Sequence, residues 1–350
     1  MKTTGLTEND IRDLIDESDK ARLRGNIDSA EKILRNILDD SKKSEEINDQ
    51  KKIQIELTAQ QRIGDLLLTK GDLDAAMSIF KSNLEVSDNT LELDENEALW
   101  QRNLSVSHNK IGDVEVARGK LDAALNAFRA ALVIAETLSQ RDPSNTEWQR
   151  DLSVSHTKIG DVEVARGKLD AALTAFQAAL AIAETLSQRD PSNTEWQRDL
   201  SVSHNKISDV EVARGNLDAA LIAFQAGLAI RETLSQRDPS NTGWQRDLSV
   251  SHSKIGDVEV ARGKLDAALT AFQAGLAIAE TLSQRDPSNT EWQRDLIVSN
   301  VKLAEMKDDP PKRYSAALAI ARELYETNRL APVDHWLVEE LEKRLADVSG

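Results

Sequence analysis

The sequence predicts an all-α solenoid, a stack of near-identical helix pairs. Three observations carry that expectation. A tryptophan stands at Trp100, Trp148, Trp196, Trp244 and Trp292, one every 48 residues. The text from Trp148 to Glu195, WQRDLSVSHTKIGDVEVARGKLDAALTAFQAALAIAETLSQRDPSNTE, returns almost letter for letter from Trp196 and from Trp244. Within it the apolar residues step at helical spacing, and no alternating strand pattern occurs. A fixed period of this size marks a stacked array of units, not one globular core.

Composition narrows the function classes. A length of 350 residues alone suggests two or three domains, but an array grows by adding units. The net charge of -16, with no Lys/Arg stripe, argues against nucleic acid and against an anionic membrane surface. With no cysteine there is no disulfide, thiolate metal site or cysteine nucleophile. The start, MKTTGLTENDIRDLIDESDK, has no apolar signal-peptide core. No continuous apolar run of about 18 residues is visible, so no membrane span is expected. A cytoplasmic protein is the expectation.

Taken in chain order, residues 1–45 read as a degenerate helical pair that caps the array. Gly25, Ile27, Ala30 and Leu34 mark its second helix. Residues 46–96 form the first clear unit. Four near-identical units follow at 97–144, 145–192, 193–240 and 241–288. In the second of these, Trp148, Leu152, Ile159 and Val162, with small Ser155 between, form one helical face. Gly167 suits a left-handed helix end. A second stripe then runs through Leu169, Leu173, Phe176, Leu180, Ala183 and Leu186. It stops at Asp190-Pro191, where proline blocks continuation. Ser192 or Asn193 caps the next helix, Ser192 having Glu195 three residues on. Each unit is thus an antiparallel pair of helices of about 20 residues, roughly 30 Å long. Residues 289–330 are a degenerate last unit, broken at Pro310-Pro311, in which Ala316 to Ala321 repeats the string at Ala178 to Ala183. Residues 331–350 supply a closing amphipathic helix, His335 to Val348, with Trp336, Leu337, Leu341 and Leu345.

The run Ile159-Gly160, Gly167, Leu169, Ala172, Phe176, Ala179, Leu180 resembles the tetratricopeptide repeat, and it recurs from Ile63, Ile111, Ile207 and Ile255. The resemblance implies a right-handed superhelix with a concave face lined by first helices. Two departures stand out. The usual unit has about 34 residues, and the extra length here lies where the tryptophan sits. Long units of this kind resemble those of kinesin light chains and of bacterial repeat arrays. The column that in this family carries an aromatic is Glu115, Glu163, Glu211 and Glu259, with Leu67 in the first clear unit. Either the local packing differs from the family pattern or these acids turn outward.

Several columns are candidate sites. The tryptophans lie in phase with the apolar stripe, which makes them packing residues between successive pairs. His108, His156, His204 and His252 lie on the order of 10 Å apart by helix spacing, too far to share one metal ion, and read as structural or solvated. By resemblance the concave face carries two lanes. One is Asn109, Thr157, Asn205 and Ser253. The other is Asp65, Asp113, Asp161, Asp209 and Asp257. Such a lane favours a protein or peptide with basic or amide-rich segments. Lys110, Lys158, Lys206 and Lys254 stand three residues before aspartates, so pairing along the helix is the equal alternative.

No phosphate loop, HExxH or GxSxG occurs. No catalytic residue, metal or cofactor is expected. The sequence thus points to a non-enzymatic protein-interaction scaffold. A self-assembling structural repeat and an accessory arm of a separate effector are the alternatives.

Overall fold

The first helices that start at Asp49, Thr146, Thr194, Thr242 and Thr290 each begin at an asparagine, and the reason is local chemistry. In the computed structural model of the chain, Asn193 Oδ1 accepts the backbone N–H of Glu195 and Trp196 at 3.1 and 3.2 Å. That satisfies donors which a helix start otherwise leaves unpaired. Ser192 does not cap. Its hydroxyl and N–H both donate to Asp190 Oδ1, closing the Asp-Pro-Ser turn, and the same turn recurs at Asp142, Asp238 and Asp286. The first helix ends at Gly167, whose φ is 72°. Lys168 N–H reaches Glu163 O and Gly167 N–H reaches Val164 O, so the orphan carbonyls of the last turn are paired.

The structure describes residues 7–23, 26–91 and 97–349; Gly25 and the junction at 92–96 lie outside them. Fifteen α-helices and one 3-10 turn, with no strand, make up the secondary structure of these residues. In order they are α1 (Glu8–Leu23), α2 (Ile27–Lys43), α3 (Asp49–Lys70), α4 (Leu73–Leu91), α5 (Glu97–Ala117), α6 (Leu121–Arg141), α7 (Thr146–Ala165), α8 (Leu169–Arg189), α9 (Thr194–Ala213), α10 (Leu217–Arg237), α11 (Thr242–Ala261), α12 (Leu265–Arg285), α13 (Thr290–Glu305), α14 (Pro310–Glu326) and α15 (Trp336–Ser349). Odd and even helices alternate as first and second members of seven pairs, and α15 stands alone at the end. The chain divides into two compact bodies, 1–175 and 176–350, with the division inside α8.

In the first body the largest apolar cluster is at the start. Ile11, Ala30, Leu34, Ile37, Ile63, Leu66 and Phe80 pack together there. Further along the core thins to Ala124, Leu125, Phe128 and Val162. In the second body the order reverses. Small clusters around Phe224 and Phe272 lead to a larger one of Ile297, Tyr314, Ala317, Ala321, Leu324, Leu330 and Leu341. The glycine of each Ile-Gly pair has a packing cause. A Cβ on Gly112 would stand 2.4 Å from the ring of Phe128, and one on Gly256 equally close to Phe272. Only glycine allows the second helix this approach.

Two expectations change here. Trp100 is fully buried at 0% exposure, but Trp148, Trp196, Trp244 and Trp292 are half-buried. Each of these four sits at the third position after its asparagine cap, in the first turn, where one side of the ring faces water. The column is therefore packing at its first copy and partial cover at the others. And α8, with mean hydropathy 1.3, is long and apolar enough by composition to cross a membrane. Its Ala172, Phe176, Ala179 and Ala183 are buried within the folded chain.

Candidate functional site

The aspartate lane exists, but its carboxylates already have partners. Lys110 Nζ donates to Asp65 at 2.6 Å and Lys158 to Asp113 at 2.6 Å. In the second body Lys254 donates to both carboxylate oxygens of Asp209 at 2.5 and 2.7 Å, and Lys302 pairs with Asp257. The expected pairing along one helix is wrong. Each lysine reaches back 45 residues to the preceding first helix. The cause is direction: the lysine side chain crosses the gap between neighbouring first helices, where a carboxylate and an aromatic face wait together. Lys254 Nζ lies 5.5 Å from the Phe224 ring centre, and Lys302 5.3 Å from that of Phe272. Asp161 also has a partner.

This track closes at both ends with arginine in place of lysine. At the start Arg62 pairs with Asp19 of α1. At the other end Arg344 of α15 pairs with Glu305 at 2.6 Å, where Glu305 stands 48 residues after Asp257. Neither terminal step was legible as such, because the closing partners lie in helices whose sequence has left the repeat.

The second lane is engaged in contacts within the fold. Asn205 is buried; with its amide oriented to satisfy both groups, its oxygen accepts from Arg231 Nη1 and Nη2 at 2.7 and 2.8 Å. Asn109 Nδ2 donates to Ser155 at 3.5 Å, and Thr157 Oγ1 to the Ser153 carbonyl at 3.0 Å. Ser253 Oγ lies 3.3 Å from where a Cβ on Gly275 would stand, so it faces α12. These four residues serve helix contacts. They precede the aspartates by one helical turn, and only Asn205 among them is buried.

The glutamate column also differs from one of its expected readings. Glu163, Glu211 and Glu259 do not turn outward; all three are buried. Each binds the arginine three residues on, as in Arg166 to Glu163 at 2.8 Å and Arg262 to Glu259 at 2.8 Å. That arginine reaches the preceding pair, Arg166 to Asp122 at 2.9 Å and Arg262 to Asp218 at 2.7 Å. Sequence gives the residue types of this network, but the geometry comes only from stacking. The histidines are half-buried, and burial pushes His108, His156, His204 and His252 below the usual imidazole value against the opposing pull of Asp88, Glu136, Glu184 and Glu232. Among the described residues no group of three or more His, Asp or Glu could hold a metal ion.

Beside the bridged aspartates the first helices also expose apolar side chains. Val116, Val154 and Val164 are exposed in the first body, and Val212, Val250, Val260 and Val298 in the second. On α11, Val250, Asp257 and Val260 stand at i, i+7 and i+10, so they share one stripe. Two valine tracks thus flank a seam of bridged charges.

Residues 109–177 and 157–241 match the family model of the tetratricopeptide repeat. Over residues 109–241 the chain thus carries units similar to that repeat, and the fold is an α-solenoid. Its fold is similar to that of the STAND protein with a tetratricopeptide repeat sensor, PH0952, from Pyrococcus horikoshii, with TM-score 0.61 and 14% identity over 97% of this chain and 45% of that one. It is similar to the apo form of RapI, with TM-score 0.59 and 15% identity over 96% of this chain and 86% of that one. BtubC from P. vanneervenii gives TM-score 0.59 and 15% identity over 73% of this chain and 92% of that one. Among curated proteins none matches.

Proposed function

We propose that the chain is a non-catalytic scaffold of the cytoplasm that holds a protein or peptide partner against the outer stripe of its first helices. The observation that carries this reading is the contrast along that stripe. The aspartates are bridged by lysines of the next pair, while the valines on either side have no such cover. A bridged carboxylate offers little to a basic segment, because its charge is already balanced and its lone pairs are partly used. The exposed valines offer apolar area that a partner can bury at about 25 cal/mol per Å². The partner class favoured is therefore a segment with apolar side chains and neutral hydrogen-bonding groups, more than a purely basic one.

The test is affinity purification from the native cell with three forms of the chain. Val212→Glu combined with Val260→Glu is expected to lose a partner that the parent retains. Asp209→Asn combined with Asp257→Asn is expected to keep it. The reverse pattern would return the site to the aspartates and sink the valine assignment. Self-assembly is the weaker reading, since the charged track ends in closed pairs at Asp19 and Arg344. Light scattering that grows with concentration in the absence of partner would revive it.

A further inference from the structure

The four near-identical units differ at few positions, and several of those differences gather at one joint, between the pair α9–α10 and the pair α11–α12. Ala135, Ala183 and Ala279 are buried at equivalent places on second helices. The residue at this place on α10 is Arg231, 7% exposed. Its guanidinium is enclosed by α9, α10 and α11. It meets the Asn205 amide, Ser251 Oγ and, at 3.3 Å, the Asp247 backbone carbonyl. Its Nε has no partner, and no carboxylate lies within ion-pair distance among the described residues. A buried cation without a carboxylate is a costly replacement for a methyl group.

Around it the usual fastening is reduced. At the α6–α7 joint, Arg102 Nε binds Asp151 at 2.5 Å, and Arg102 Nη1 binds Glu147 at 3.0 Å. At the α12–α13 joint, Arg246 binds Asp295 at 2.5 Å and Glu291 at 3.3 Å. The corresponding Arg198 makes one contact with Asp247, at 3.3 Å, and its side chain is 58% exposed, against 34% for Arg102 and 35% for Arg246. The glutamate it lacks is Gly243, which leaves the first turn of α11 without an acid. Burial disfavours the Arg231 charge most; Asp247 and, more weakly, Asp209 offset part of that from beyond contact, while Arg198 opposes it. A further departure lies inside the same pair. Ser208 stands where Gly112 and Gly256 sit in their units, and a Cβ at those glycines would press within 2.4 Å of the phenylalanine ring.

The geometry points to the joint between α10 and α11 as the built-in opening point of the array, where one stretch of the solenoid separates from the next before any other joint yields. It rests on Arg231, Arg198 and Gly243 and is independent of which partner the valine stripe holds. A repeat array is a chain of nearest-neighbour interfaces, so a single weakened interface localises opening. The sibling units show that the fold accepts the stronger alternative at each of these positions, so the reversions test the joint without threatening the fold.

Hydrogen exchange read by mass spectrometry on the full chain tests it. Peptides from the end of α10 and the start of α11 are expected to exchange at least about tenfold faster than those from the end of α12 and the start of α13. Arg231→Ala combined with Gly243→Glu is expected to bring the first set down to the rate of the second. Equal exchange at the two joints in the parent chain overturns the proposal. So does a double variant that exchanges as fast as the parent, or one that unfolds at lower temperature, since Arg231 would then be a fastening and not a weakness.

Discussion

The middle of this chain and its two ends meet the same demand with different materials. Every pair must be held to the next. In the middle the core is thin, divided into small clusters of aliphatic residues around one phenylalanine, and the pairs are fastened by lysine, arginine and buried glutamate bridges such as Lys254–Asp209 and Glu259–Arg262–Asp218. At the ends the clusters are larger, as around Phe80 and around Leu324, and the bridges end in arginine. An inner pair is covered on both sides, so small clusters and shared polar links suffice. The first and last described pairs bury a larger apolar cluster against the one neighbour described for each.

Four tests probe this contrast, from the largest effect to the smallest. Phe80→Ala empties a wholly buried site in the apolar N-terminal cluster and should cost about 3–5 kcal/mol. Chemical denaturation checks it, with Phe272→Ala, next to smaller neighbours, expected at the lower end of that range. Equal losses would remove the distinction between end and middle. Glu259→Ala strands Arg262 from a buried partner and should cost about 1–3 kcal/mol. A loss near zero would mean that these glutamates fill space and nothing more.

The histidines come next and act through pH. Each folded imidazole binds its proton less readily than the unfolded one, so the unfolded state takes up more protons and stability falls as pH drops. The loss begins near the ordinary value of 6.5 and grows below it. Melting temperature followed from pH 7.5 down to about 5.5 should fall, and His156→Gln with His252→Gln should flatten that slope. An unchanged slope would exclude the histidines as its source. Smallest is Lys254→Met, which removes one half-exposed bridge and should cost no more than about 1 kcal/mol, less in high salt. A cost that does not change with salt would assign the effect to the aromatic contact with Phe224 instead.

Much of this protein could be read before any coordinates. The 48-residue period, the glycine that ends the repeated first helices and the asparagine that starts them act within a few residues of themselves, so they are written in local text. The same holds for the paired helices and for the residue types of the aspartate, glutamate and histidine columns. What the text could not supply was the partner of each charge. Lys254 stands three residues before Asp257, and local spacing pairs them. The fold sends Lys254 instead to Asp209, because neighbouring first helices lie within side-chain reach of one another. The glutamates turned inward for the same reason, with Arg262 bridging to the pair before. Arg231 reads in sequence as one more basic residue on a helix, and only the packing of α9, α10 and α11 around it makes it a buried cation. Sequence fixes what is decided within a turn or two of helix. Tertiary structure decides which side chains meet across helices, since that depends on a distance the chain sets only when it stacks.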